Sequence, residues 1–488
     1  MNLDYVIDTE VKYDLYNKEI DGFHLWVYER AEFIWEIERK KYALNTGHSM
    51  PKESVLERLW RIAGMFGNAF FHSWTSGRHV NVLFLCHERR VLIDGQYECI
   101  YTDQIAECLS DSISLERPHH GRHYRPPRTR HLYYTDRVEL KKTLFYLVEM
   151  KLRLDKYRKI RSRIEQILVE PLKELMELYE VDCEMEYFIQ LALAGYYDYQ
   201  YKCRAYDKLL RKLHPKMIIE VVGYNADCMI VNEIAKTMSI PTVELQHGAT
   251  GREHIGYNYA QGVVLQQAPD YFLAFSDFWI DTARGPIPEN CQFAVGYPYL
   301  ERQSKRYKEV TMRETDPRII LFLSQGPVGE RLSAIAVQLR QLLPQKEYRI
   351  LYKLHPNEFL GWRDRYPELY ASGLEVIDNN SKNLYEYFAM CSMQVGGFTT
   401  TAIYEGLCFG LDTYIYDYCV APEMRRLCES GYGQLFENVD QLAEQIRDYD
   451  KETSGIQNVD FWKSDALQNA VSWIKEKLSG KNSVSMRA

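Results

Sequence analysis

The sequence predicts an α/β protein made of two Rossmann-like domains facing a cleft, with an extra helical N-terminal region. Three observations carry that prediction. From residue 217 onward, short apolar runs alternate with segments of helical period, the pattern of parallel strands joined by crossover helices. The alternation lapses over residues 301–317 and then resumes, which splits it into two halves. The first 75 residues and residues 138–180 show helical spacing instead. The expected domains are residues 1–305, 317–458 and a C-terminal helical piece, 459–488.

Taken in order, residues 53–71 carry an amphipathic helical pattern, and Val80-Asn-Val-Leu-Phe-Leu85 is a continuous apolar run of buried-strand type. Residues 117–130 then hold five arginines and three histidines in 14 positions. That charge suits a phosphate-bearing substrate or an anionic membrane surface, with Arg122, Arg125 and Arg128 as candidate contacts, and it equally suits a solvated loop. Leu140, Leu144 and Leu147, followed by Ile160, Ile164, Ile167 and Leu168, mark helices. Their other faces carry Lys151, Arg153, Lys156, Arg158, Lys159, Arg161 and Arg163, a composition shared by solvated helices and by helices lying on anionic lipid. Residues 217–222 read as a strand, 225–238 as a helix, 241–245 as a strand and 271–275 as another. The second alternation predicts strands at 318–323, 348–352, 374–377, 394–395 and 413–416. Helices are expected at 329–343, 384–391 and 400–409. A last helix, 461–478, has Trp462, Leu467, Ala470, Val471 and Ile474 at helical spacing.

Ligands of a parallel α/β sheet bind at the carboxyl ends of its strands, where helix N-termini present free N–H groups. That rule separates two copies of Lys-Leu-His-Pro, at 212–215 and 353–356. The first precedes its strand, so His214 reads as structural. The second follows one, so Lys353 and His355 become candidate donors to phosphate oxygens, although a His-Pro pair is also an ordinary turn. In Val395-Gly-Gly-Phe-Thr-Thr-Thr-Ala-Ile-Tyr-Glu-Gly406, Gly397 permits close backbone approach, and Thr399, Thr400 and Thr401 bring hydroxyls to a helix start. Glu405, one turn further, is placed to accept hydrogen bonds from ribose hydroxyls. A threonine cluster before a helix also serves as a plain cap. Third, Gln246-His247-Gly248 ends a strand, with His254 close behind. A histidine there is suited to general-base work on a hydroxyl, or to a hydrogen-bonded loop.

In this order and at these strand ends, residues 216–417 resemble GT-B-fold bacterial surface-polysaccharide transferases, the group of CDP-glycerol glycerophosphotransferases and bacterial polysialyltransferases. The resemblance implies that His247-Gly248 supplies the base. It also implies that Lys353 and His355-Pro356 bind the donor phosphate. Thr399 to Thr401, Glu405 and the strand ending at Asp417 would hold the nucleotide. Residues 1–305 then become the acceptor-side domain, residues 317–458 the donor-binding domain, and residues 459–488 a helix crossing back onto the first. Threonines stand where the group usually has serines, and the acidic-acidic-glycine motif of polysialyltransferases is not evident. The implied function is transfer of a sugar or polyol phosphate from a nucleotide-activated donor, CMP- or CDP-linked by resemblance, to a capsule or other surface glycan. Retaining members often carry two glutamates separated by seven residues, whereas Thr413 stands eight positions after Glu405, which points to inversion. No metal and no cofactor beyond the donor is expected; the one Asp-x-Asp, Asp448-Tyr449-Asp450, sits at a predicted helix end. The rival readings are a nucleotide-sugar 2-epimerase and a non-catalytic glycan- or nucleotide-binding scaffold.

Composition narrows the classes further. Lys plus Arg number 60 and Asp plus Glu 68, a formal charge of −8, which argues against a nucleic-acid partner. Eleven cysteines without a Cys-x-x-Cys spacing suggest neither a disulfide framework nor a metal knuckle. No apolar stretch is long enough to span a bilayer, and the first eight residues lack a signal pattern. A cytoplasmic location is therefore expected, with a glycan or glycolipid acceptor and the inner-membrane surface as candidate partners. The 38 tyrosines are unusually many.

Overall fold

The computed structural model describes residues 2–42, 54–74, 79–87, 90–282, 285–308, 317–418, 422–448 and 461–480. The chain divides into two compact units, one of Asn2–Lys41, Glu53–Tyr299 and Lys463–Ala488, the other chiefly Leu300–Trp462. Each is built on one parallel sheet.

The first sheet has seven strands: β1 (Val82–Cys86), β2 (Ser112–Glu116), β3 (Leu132–Tyr134), β4 (Met217–Val221), β5 (Thr242–Leu245), β6 (Tyr271–Ala274) and β7 (Gln292–Ala294). Their spatial order is β3-β2-β1-β4-β5-β6-β7, all parallel. This is the Rossmann order with one strand added, and its direction reverses between β1 and β4. All five residues of β4 are buried, as expected of a strand covered on both faces. The apolar run read as a strand at residues 80–85 thus enters this sheet as β1, and β2 and β3 join it ahead of residue 217. Strands β2 and β3 escape a hydropathy reading because they are short and interrupted by serine and tyrosine.

Three helices, Asp136–Leu152, Leu154–Leu178 and Met185–Leu213, form the crossover from β3 to β4. The last buries Tyr196, Tyr197 and Tyr206, one use of the tyrosine excess. The basic run on these helices is largely neutralised: Arg161 pairs with Glu165 and Glu186, Arg163 with Asp21, and Arg153 and Lys156 with Glu149. The helix Ala466–Leu478 packs on the same sheet, burying Ala470, Trp473 and Ile474 among residues of β1, β4 and β5. Trp473 meets Tyr271 and Phe293 edge-on or tilted at 5.3 and 5.4 Å. Gly296 makes this docking possible, since a Cβ there would lie 2.3 Å from the Lys463 carbonyl and 2.5 Å from the Ala466 Cβ.

The second sheet has strands β8 (Arg318–Leu323), β9 (Tyr348–Lys353), β10 (Glu375–Ile377), β11 (Met393–Gly396), β12 (Asp412–Tyr416) and β13 (Gln434–Phe436). They lie parallel in the order β10-β9-β8-β11-β12-β13, the six-stranded Rossmann order. A core of Ile320, Phe322, Leu332, Leu339, Tyr352 and Val395 with Leu442 and Ile446 fills one face. Where the apolar pattern lapses, the structure has a helix, Pro298–Lys308. It is highly polar and carries a Glu301–Lys305 ion pair at 2.6 Å, so its apolar content is too low to stand out in the sequence. Asp448 follows the helix Val439–Arg447, and Tyr449 and Asp450 lie outside the described residues.

The helix Val55–Phe71 opens with a capping box, Ser54 and Glu57, yet none of its residues is buried. Leu56, Leu59, Trp60, Phe66 and Phe70, spaced on one stripe, are all exposed, Trp60 by 71% and Phe70 by 77%. No described helix is long and apolar enough to cross a membrane.

Candidate functional site

His247 lies just past the carboxyl end of β5. Gln246 clamps this turn: its side-chain amide donates to the Gly248 carbonyl at 2.7 Å and accepts the Phe275 N–H at 2.7 Å. The Tyr101 hydroxyl donates to the His247 carbonyl, also at 2.7 Å. Both ring nitrogens face tyrosines. Nδ1 is 2.9 Å from the Tyr257 hydroxyl and Nε2 is 3.3 Å from the Tyr224 hydroxyl. Behind them, Tyr257 donates to Glu244 Oε1 at 2.6 Å, an oxygen that also accepts the Gly223 N–H at 2.9 Å. Burial pushes the Glu244 carboxyl up to about 7, against the lowering effect of these two bonds. Its neighbour across the sheet, Glu220, is pushed up to about 8 by burial, opposed by a bond from Asn232 and aided by the charge of Glu244.

The loop carrying Tyr257 is held from the N-terminal helices. Buried Arg30 donates to the carbonyls of Ile255 at 2.6 Å and Asn258 at 3.0 Å, and its guanidinium sits 4.1 Å over the Tyr259 ring. Glu10 balances its charge at 2.7 Å and also accepts the Trp26 indole N–H. Gly256 lets Tyr224 lie against this loop, because a Cβ there would fall 2.3 Å from the ring. His254 caps the short turn by accepting the Gly256 N–H at 3.1 Å, and its ring lies 6.4 Å from that of His247.

Among the hollows of this unit, one is lined by Tyr224, Glu244, Gly256 and Tyr257. A second lies at the carboxyl ends of β1, β2 and β4, lined by His87, Arg117, Asn225 and Asp227. The second occupies the strand-order reversal where open α/β sheets bind ligands. Sequence reasoning missed Tyr101, Tyr224, Tyr257 and Glu244. The readable signal was a glutamate inside each of two apolar strands, since such carboxyls are rarely buried without a partner.

The arginine-rich segment is ordered through its neighbours. His123 lies between Glu116 at 2.6 Å and Asp136 at 2.7 Å. Burial lowers its basicity, but the bonds to Asp136 and Glu116 outweigh that and raise it above an ordinary histidine. Glu116 also pairs with buried Arg90, which reaches Asp103 at 2.8 Å. Arg128 does not stand ready for an acceptor or membrane: its fork grips Glu107 at 2.6 and 2.9 Å and Glu98 at 2.8 Å. Arg125 is exposed, donates to Asn68 at 2.6 Å and lies over Tyr134; Arg122 is exposed.

In the second unit, Lys353, His355 and the turn after β11 all fall at the carboxyl edge of the sheet. Lys353 is buried, with Nζ 3.0 Å from the Asn379 carbonyl, and burial lowers it to about 8 despite Asp378 nearby. His355 caps the turn Pro356–Glu358, its Nδ1 accepting the Asn357 N–H at 3.2 Å. Neutral His355 therefore carries its proton on Nε2, a donor suited to an anionic oxygen. Thr400 caps the helix Thr401–Cys408 through Ala402 at 3.3 Å, and Thr399 reaches Glu423 at 3.4 Å. Gly397 packs close to Tyr416. Glu405, half-buried in the helix Thr401–Cys408, has its carboxyl pushed up to about 8 by burial, opposed by a hydrogen bond from Tyr385. His214 ends the helix Met185–Leu213 at the amino end of β4, in the left-handed region at φ 44° and stacked on His79 at 4.7 Å.

No family model matches the chain, and no curated protein matches it in sequence. Among solved structures it is similar to UDP-GlcNAc 2-epimerase from Methanocaldococcus jannaschii, at 11% identity over 81% of this chain and 99% of that one, with a TM-score of 0.50. It is also similar to a putative UDP-N-acetylglucosamine 2-epimerase from Listeria monocytogenes, at 10% identity over 83% and 98%, TM-score 0.49. A glycosyltransferase from Rickettsia africae aligns at 10% identity over 83% and 94%, TM-score 0.39. The first likeness shows the fold: α/β, with the two Rossmann-like units expected of the GT-B class.

Proposed function

We propose that this protein is a glycosyltransferase that moves a sugar, or a polyol phosphate, from a nucleotide-activated donor to a cell-surface glycan. The observation that carries the reading is His247 at a strand's carboxyl end, with both ring nitrogens engaged by tyrosine hydroxyls. In this reading an acceptor hydroxyl displaces the long Tyr224 contact and gives its proton to Nε2. The acceptor oxygen forms its bond to the donor's anomeric carbon, or to phosphorus for a polyol phosphate, as the bond to the leaving nucleotide breaks. The leaving phosphate gains negative charge, which Lys353 and the Nε2–H of His355 stabilise. Thr399, Thr401 and Gly397 receive the nucleotide, and displacement is direct, with inversion when a sugar is transferred. The chemistry requires no metal.

Donor recognition is testable without an acceptor. In a thermal-shift screen of CMP, CDP, UDP and GDP, one nucleotide is expected to stabilise the protein, by about 2.7 kcal/mol at 100 times its Kd. His355→Ala should abolish the shift and His214→Ala preserve it; equal effects would overturn the roles given to the two Lys-Leu-His-Pro copies. A second reading, a UDP-GlcNAc 2-epimerase-like enzyme, is favoured by the fold shared with the Methanocaldococcus enzyme. Nucleotide sugar incubated alone should stay unchanged apart from slow hydrolysis. An epimerised product would replace the transferase reading with this one.

The acceptor is read as membrane-borne. The apolar stripe of helix Val55–Phe71 is exposed, and Arg58, Arg122, Arg125, Arg137 and Lys141 are exposed on that helix and on the segments that follow and pack against it. Apolar and cationic surface together fit an anionic bilayer interface. The protein should float with phosphatidylglycerol vesicles and Trp60→Glu should not. A protein that stays in solution but dimerises through this stripe would assign it to a second copy instead.

A further inference from the structure

We propose that Tyr257 and Glu244 are positioning residues that hold the proton of neutral His247 on Nδ1, so that Nε2 is the nitrogen left to accept a proton. The inference deepens the reading of His247 as a base and rests on it.

A single hydroxyl sets the tautomer. Tyr257 has one proton to give and two neighbours, Glu244 Oε1 at 2.6 Å and His247 Nδ1 at 2.9 Å. An ionised carboxylate can only accept, and a charge-assisted bond to it is the stronger of the two. The Tyr257 proton therefore goes to Glu244. The tyrosine oxygen is then an acceptor towards Nδ1, and only an Nδ1–H can satisfy it. The Gly223 N–H, 2.9 Å from the same carboxylate oxygen, reinforces the ionised form. On the opposite side the Tyr224 hydroxyl lies 3.3 Å from Nε2, where it can donate to a bare nitrogen.

Burial gives this arrangement its range. The Glu244 carboxyl titrates near 7, so the proton assignment is firm above neutrality and relaxes below it. The groups facing this cluster are Glu220 on β4, Tyr224 after it, His254, Tyr257 and Tyr259 on the loop, and Tyr101 against the His247 carbonyl. Within that set Glu244 is the carboxyl bonded to Tyr257 and through it to the imidazole. When Nε2 takes up a proton, the resulting imidazolium has a carboxylate one hydroxyl away. The logic is that of an orienting acid behind a histidine base, with a tyrosine inserted between them.

The test is the tautomer, read by long-range 1H–15N correlation of the imidazoles in the full chain at pH 8, with the His247 signals identified by their loss in His247→Ala. Wild type should show Nδ1–H. Tyr257→Phe and Glu244→Gln should give a mixture or Nε2–H, and transfer should fall about 10- to 100-fold, the usual range for partners that orient a functional histidine. Tyr224→Phe should leave the tautomer unchanged. An Nε2–H tautomer in wild type overturns the proposal, whether or not the variants fold, and so does an unaltered Nδ1–H in folded Tyr257→Phe. The base reading fails separately, if His247→Ala keeps full transfer while the tautomer follows Tyr257 as described. Conversely, loss of transfer in His247→Ala with a tautomer indifferent to Tyr257 sinks the positioning role and leaves the base standing.

Discussion

Replacing His247 with alanine is expected to lower transfer about 10²- to 10⁴-fold, the range associated with a positioned general base. Tyr224, the hydroxyl seen at Nε2, is a phenol that burial holds well above its ordinary pKa, so it would not take over the acceptor's proton. The donor should still bind, since Lys353 and His355 belong to the second sheet's edge. Initial rates at saturating donor, set beside nucleotide affinity by calorimetry, separate the two effects. A rate within tenfold of wild type would remove His247 from the chemistry. Lost affinity with an unchanged rate at saturation would make it a binding residue.

Arg30→Met is expected to cost about 3–5 kcal/mol of stability, the range for removing one partner of a buried ion pair. The Arg30 and Glu10 side chains are 1% and 0% exposed, so the carboxylate left behind cannot turn to water. The bonds to the Ile255 and Asn258 carbonyls go with it, and they hold the loop that bears Tyr257. The measurement is chemical denaturation of Arg30→Met, Glu10→Gln and the double variant. The double variant should be more stable than Arg30→Met, because most of the cost lies in the stranded charge rather than in the lost pair. A single-variant loss below about 1 kcal/mol, the value typical of exposed pairs, would mean that Glu10 finds another partner.

The two expectations depend on different kinds of legibility. His247 can be found from the chain alone: an apolar strand ends, and a histidine and a glycine follow at the edge where parallel sheets bind ligands. The same reasoning reaches Lys353 and His355, and it separates them from His214, because a position before or after a strand is a property of sequence. Tyr224, Tyr257 and Arg30 lie 23, 10 and 217 positions from His247 and share no motif with it. Tyr224 and Tyr257 meet it because β4 and β5 pair in register, Glu220 opposite Glu244, and Arg30 acts from further off, bonding across to the loop that bears Tyr257. Glu405 shows the reverse. Its helical position was readable, but the upward push on its carboxyl was not, since burial supplies it against the opposing bond from Tyr385.

For the fold, local chemistry determined the long apolar strands and the crossover helices that make both halves Rossmann-like, since continuous apolar runs can be satisfied only inside a covered parallel sheet. Strands β2, β3 and β13 and the helix Pro298–Lys308 carry too little apolar signal to be seen alone; they exist because neighbouring strands or ion pairs satisfy them. The charge of the Arg117 to Arg130 segment follows the same division. Its five arginines and three histidines are plain in the sequence, but only tertiary structure placed Glu98, Glu107, Glu116 and Asp136 around Arg128 and His123. A side chain's type is written in the chain, whereas whether its charge is free or paired depends on what folding brings within about 3 Å of it.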